Sequence, residues 1–86
     1  VAEKTFNLSI VAPDSSPVER RCVSLVVPSE LGYMGILAGH APLVANLAKG
    51  RIILRDYSGK TEEFQSADRG FIEVLNNEVV IILRSN

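Results

Sequence analysis

Short apolar runs that alternate with polar residues, each closed by glycine, proline, asparagine or aspartate, recur along this chain with a period of two. That period belongs to half-buried strands and not to helices. Phe6, Leu8 and Ile10 alternate with Asn7 and Ser9, turning one face of an extended segment inward and the other to water. Ala12-Pro13-Asp14-Ser15-Ser16-Pro17 supplies the turn chemistry that ends it. A second strand begins near Val18, with Val23, Leu25 and Val27 on one face and Cys22, Ser24 and Val26 on the other. The two are expected to pair.

Between Val27 and Leu43 the pattern lapses into V-P-S-E-L-G-Y-M-G-I-L-A-G-H-A-P-L, which contains the single histidine. This reads as a shaped connection between two groups of strands, displaying Leu31, Tyr33 and His40 near a rim. The following Leu43-Val44-Ala45-Asn46-Leu47-Ala48 also fits one helical turn, since Leu43 and Leu47 are four apart, but a short strand is the expectation. Lys49-Gly50 turns the chain into Arg51 to Tyr57, where Ile52 and Leu54 face one side and Ile53 and Tyr57 the other. Ser58-Gly59 signals a hairpin returning along Thr61 to Gln65, and Ala67-Asp68-Arg69-Gly70 is the next break. Phe71 to Leu75 and Glu78 to Arg84 flank Asn76-Asn77, whose residue type tolerates the left-handed backbone of a two-residue turn. About eight short strands and no helical period over ten residues or more predict an all-β sandwich or barrel, a single domain over residues 1–86.

Composition narrows the function. Apolar residues make up 47% and charged residues 22%, as in an ordinary folded domain and unlike a disordered chain. The net charge of −1 leaves no electrostatic footprint for nucleic acid. Cys22 is the single cysteine, so neither an intrachain disulfide nor a thiolate metal cage can form. The longest apolar run, Val79 to Leu83, falls far short of the roughly 18 residues of a spanning helix. Val1-Ala2-Glu3-Lys4 lacks the apolar stretch of a signal peptide. The expectation is a soluble cytosolic domain.

Catalytic readings find little purchase. Cys22 and His40 form a conceivable nucleophile pair, but a cysteine in an alternating strand is normally a buried, inert thiol. No G-x-S-x-G elbow appears, and one histidine without a carboxylate cluster does not make a zinc site. Gly59-Lys60-Thr61 imitates the tail of a phosphate-binding loop, yet Leu54 stands where its first glycine belongs. Glu62 and Glu63 are adjacent on a strand, so they point to opposite faces and not at one substrate. His40 reads as a rim histidine bracing the Gly39-Ala41-Pro42 bend through backbone hydrogen bonds, or as a partner contact. Leu31 and Tyr33 are either exposed anchors or core.

The residues of the central connection carry a resemblance. Leu25-Val26-Val27-Pro28 followed by Gly32-Tyr33-Met34-Gly35-Ile36-Leu37-Ala38-Gly39-His40-Ala41-Pro42-Leu43 resembles the G-E-M-G-V-L-P-G-H-A-P-L signature of the epsilon subunit of the rotary ATP synthase. The likeness extends to Phe6 through Pro13, to Lys49-Gly50, to Gly70-Phe71-Ile72-Glu73-Val74, and to Asn77, Val79 and Leu83 in the closing hairpin. It implies a flattened sandwich of two antiparallel sheets with eight to ten short strands. It also implies a rotor subunit of the central stalk, without catalytic residues or cofactors of its own, that passes ion-driven rotation of the c-ring to ATP synthesis. The implied partners are the gamma subunit, met by Ala12, His40, Ala41, Pro42, Leu43 and Ala45, and the c-ring polar loops, met by Ser29, Glu30, Leu31, Gly32 and Tyr33. The implied location is peripheral, on the cytoplasmic face of the energy-transducing membrane, reached only through the complex.

Departures from the family pattern adjust these expectations. Leu31 and Tyr33 stand where the family usually has acidic residues, so the ring contact is expected to be more apolar and less salt-sensitive. Ala38 replaces a common proline, and Asp68-Arg69 replaces a small Ser-Gly pair, so the turn before Gly70 is expected to differ. Such subunits typically continue into two helices, whereas this sequence stops at Arg84-Ser85-Asn86; neither an ATP site nor a helical latch is expected. Two other classes stand beside this reading. One is a sandwich adaptor that adds a peptide strand at an exposed edge, and the other a small hydrolase built on Cys22 and His40.

Overall fold

The computed structural model describes residues 4–67 and 69–84. Eight strands follow one another: β1 (Phe6–Val11), β2 (Val18–Ser29), β3 (Gly32–Ile36), β4 (Leu43–Leu47), β5 (Gly50–Asp56), β6 (Thr61–Ser66), β7 (Gly70–Leu75) and β8 (Glu78–Ile82). Two layers of strands are folded over one core. β2 pairs with β5, β5 with β6, and β3 with the second half of β2; β1, β8, β7 and β4 form the other layer in that order. The layers are continuous. β1 pairs with the first half of β2, and Ser29 at the end of β2 meets Leu47 of β4. With extents of 43 × 26 × 18 Å, the body is about as thin as two stacked sheets whose backbones lie roughly 10 Å apart.

The core is what the alternation predicts. Phe6, Leu8 and Ile10 of β1, Ile52 and Leu54 of β5, Ile72 and Val74 of β7, and Val79 and Ile81 of β8 are buried in one cluster. The β7–β8 turn is also as expected: Asn76 and Asn77 have φ of 51° and 61°, the two left-handed residues of a type I′ hairpin. Leu43 to Leu47 is a strand and not a helical turn.

Three features depart from the sequence reading. Cys22 was placed on the face opposite Leu25 and Val27, but all three are buried. The register shifts between Cys22 and Ser24, and the extra residue of such a bulge carries both halves of β2 inward. The supposed connection also contains a strand, β3, antiparallel to β2 from Leu25↔Ile36 to Ser29↔Gly32. Finally, β1 and β8 are parallel in a sheet otherwise antiparallel, because both ends of the chain enter the same layer. Asp68 of the Asp68-Arg69 pair, and Ser85-Asn86 at the end, lie outside the described residues.

Candidate functional site

The residues proposed for chemistry are turned to structural work. Cys22 is fully buried, and burial pushes its thiol up to about 11, away from the thiolate a nucleophile requires. The His40 ring turns to its own bend: Nδ1 lies 2.7 Å from the Ala41 carbonyl oxygen, which can only accept, so Nδ1 carries the proton. Glu62 and Glu63 diverge as adjacent strand residues must. Glu62 accepts from Arg20 Nε and Nη2 at 2.6 and 3.1 Å, while Glu63 pairs with Arg51 at 3.7 Å. The Arg20 hydrogen bonds hold the Glu62 carboxyl below its ordinary value, against the opposing effect of burial. Gly59-Lys60 closes the β5–β6 hairpin, where Asp56 Oδ1 accepts from the Ser58 and Lys60 amides at 2.9 and 3.0 Å. Hydrogen bonding, that of the Ser58 hydroxyl foremost, holds this carboxyl below its ordinary value. Among the described residues no cluster of three or more metal-ligating side chains occurs.

What the structure does present is exposed apolar surface at the two connections flanking β3. In the β2–β3 turn, Ser29 Oγ donates to the Gly32 carbonyl at 2.6 Å and accepts from the Leu31 amide at 3.3 Å. The turn is thereby braced, leaving Leu31 100% exposed. Tyr33 is 59% exposed and not free to swing, because its hydroxyl accepts from the Arg51 amide at 3.2 Å. Gly50 makes that posture possible: a Cβ there would lie 2.8 Å from Tyr33 Oη and 2.9 Å from Pro28 Cβ. The open question about Leu31 and Tyr33 is therefore decided in favour of exposure.

In the β3–β4 connection, Leu37 is exposed and its carbonyl accepts from the His40 amide at 3.2 Å. The Gly39 amide donates to Asn77 Oδ1 at 2.7 Å, tying this bend to the β7–β8 turn. Ala41 and Pro42 are exposed. Leu43 and Ala45, by contrast, pack against the core. The side chain turned outward between them is Val44, 69% exposed, as strand alternation from an inward Leu43 requires.

The register shows which candidates lie together. Leu43 pairs with Val74, so the bend His40-Ala41-Pro42 meets the Leu75 end of β7. Ala12 belongs to the opposite end of this layer, since Val11 pairs with Ile82 and Ile82 with Phe71. There Ala12 shares a hollow with Leu83 and Arg84, and Arg84 also lines the one beside Glu30 and Ala48. Ala12 thus groups with the Ser29–Tyr33 turn and not with the His40 bend.

Comparison with known proteins places this geometry. The sequence model of the family described as ATP synthase, Delta/Epsilon chain, beta-sandwich domain matches residues 5–85. The chain belongs to that family. Among its relatives, the ATP synthase epsilon chain of Bacillus pumilus is 42% identical over 83 residues, covering 95% of this chain and 61% of the relative. The ATP synthase epsilon chain of Dichelobacter nodosus is 38% identical over 77 residues, covering 90% and 53%. The chain thus spans little more than half the length of these curated relatives. A chain of the Euglena gracilis mitochondrial ATP synthase, solved as OSCP/F1/c-ring, superposes with a TM-score of 0.84 over 92% of this chain and 50% of that one, at 24% identity. One from the central stalk and c-ring of the Tetrahymena thermophila enzyme superposes with 0.78 over 99% and 67%, at 11% identity. At those identities the superpositions establish the shared fold. Among the described residues no helix long and apolar enough to cross a membrane occurs.

Proposed function

We propose that this epsilon-type sandwich is a non-catalytic rotor element of the ATP synthase central stalk, docking on the gamma subunit and on the polar loops of the c-ring. The observation that carries the reading is the set of exposed apolar side chains Leu31, Tyr33, Leu37 and Val44, running from the β2–β3 turn through β3 to the start of β4, in a member of this family. Exposed aliphatic and aromatic anchors on a rigid scaffold are what a protein interface requires. The thin, closed sandwich supplies the rigidity, since a close-packed core transmits force without creeping.

The two patches divide the work. The bend His40-Ala41-Pro42, with Val44 and Leu75 beside it, faces gamma. The Ser29–Tyr33 turn meets the ring through Leu31 and Tyr33, with Ala12 and Arg84 at the same end. The domain is peripheral, on the cytoplasmic side of the energy-transducing membrane, and reaches the membrane only through the ring. Copurification with a tagged gamma subunit tests the proposal: an equimolar complex is expected, and its absence contradicts it.

A further inference from the structure

We propose that Asn77 is a positioning residue for the docking surface, setting where the β3–β4 bend sits against the sheet; this rests on the docking role proposed above. Asn77 joins three segments remote in sequence. Its Oδ1 accepts from the Gly39 amide at 2.7 Å, and its own carbonyl accepts from the Asn7 amide at 2.9 Å. Its backbone, at φ 61°, completes the turn that starts β8.

Besides the packing of Ala38 against the core, the bend has two kinds of hydrogen-bond support, and they do different things. The His40 amide bond to the Leu37 carbonyl and the His40 ring bond to the Ala41 carbonyl are internal, so they give the bend its shape without fixing its place. The Gly39 bond to Asn77 spans 38 residues of sequence and fixes that place. Gly39 lies between the last residue of β3 and the first of β4, the part of the connection farthest from either ladder. With the acceptor gone, the Gly39 amide turns to water and the bend gains loop motion, which a partner must then quench at the cost of affinity.

Two substitutions separate this role from that of the turn. Asn77→Gly leaves Asn-Gly at the turn, the pair a type I′ hairpin prefers, and removes the acceptor. Asn77→Asp keeps a side-chain oxygen in place and tolerates the left-handed backbone. Amide hydrogen exchange by NMR, melting temperature and calorimetric affinity for the isolated gamma subunit are read on both. For Asn77→Gly, faster exchange at Gly39 is expected with unchanged exchange at Ile72, an unaltered melting temperature, and roughly a 3- to 10-fold loss of gamma affinity. Asn77→Asp is expected to restore Gly39 protection and affinity together. A Gly39 amide still protected in Asn77→Gly overturns the proposal, as does wild-type affinity in that variant. If the wild-type chain forms no gamma complex, the docking reading falls and takes the proposal with it.

Discussion

Among the described residues β3 and β6 are each paired along one side only, and they answer that exposure in opposite ways. β6 reads T-E-E-F-Q-S, and its two glutamates pair with Arg20 of β2 and Arg51 of β5. Charged side chains on an edge discourage further strands from adding. From Leu31 to Ala48, spanning β3, no Asp, Glu, Lys or Arg occurs, and Leu31, Tyr33 and Leu37 stand exposed. One flank is guarded and the other is left apolar. Single exposed apolar residues, such as Tyr57 beside β6, need no explanation, but several of them along a stretch without charge mark a contact surface.

The largest expected effect comes from importing the guard into the open flank. Leu31→Lys combined with Tyr33→Lys, opposite in charge to the acidic residues usual at these positions in the family, should weaken association with the purified c-ring by about 30-fold or more, measured by cosedimentation. Glu63→Lys on β6 should leave it unchanged, and equal losses from both would dissolve the contrast. Gly50→Ala should cost about 1–3 kcal/mol of stability in urea titration, because its Cβ meets Tyr33 Oη and Pro28 Cβ below 3 Å. Tyr33→Phe should cost about 0.5–1.5 kcal/mol by leaving the Arg51 amide without its hydroxyl partner.

The smallest effect belongs to the guarded flank. Glu62 has its folded-state carboxyl held below the ordinary value of 4.5, chiefly by the Arg20 hydrogen bonds. Its contribution to stability is complete above that ordinary value and disappears as the pH falls through the lower folded one. Glu62→Gln should therefore show a slightly lower melting temperature near neutrality, converging on wild type in strong acid. A pair this near the surface is screened by solvent, so high salt should narrow the same gap.

Much of this architecture was legible in the chain, and the failures have physical causes. β1, β5 and the β7–β8 hairpin each bury one face and carry period-two patterns or turn residues that no tertiary contact overrides. β3 was hidden because Gly32-Tyr33-Met34-Gly35-Ile36 has two glycines and no β-branched run; it is extended because the second half of β2 offers it a ladder. The bulge at Cys22 leaves no sequence mark, since either phase of the alternation fits Val23 to Val27. The parallel β1–β8 pairing is set by how distant segments close the core. At the surface, Val27 to Leu43 stands out in the sequence as one connection, its division by β3 does not, and whether Leu31 and Tyr33 point outward depends on the Ser29 brace and the space over Gly50.

The central claim is that this domain acts through docked surface and not through chemistry. The most direct measurement is copurification of the untagged chain with a tagged assembly of gamma and the c-ring, repeated at rising ionic strength. An equimolar complex that persists as salt is raised, and is lost in the Leu31→Lys, Tyr33→Lys variant, is the predicted result. A chain that elutes alone at every salt concentration would contradict it.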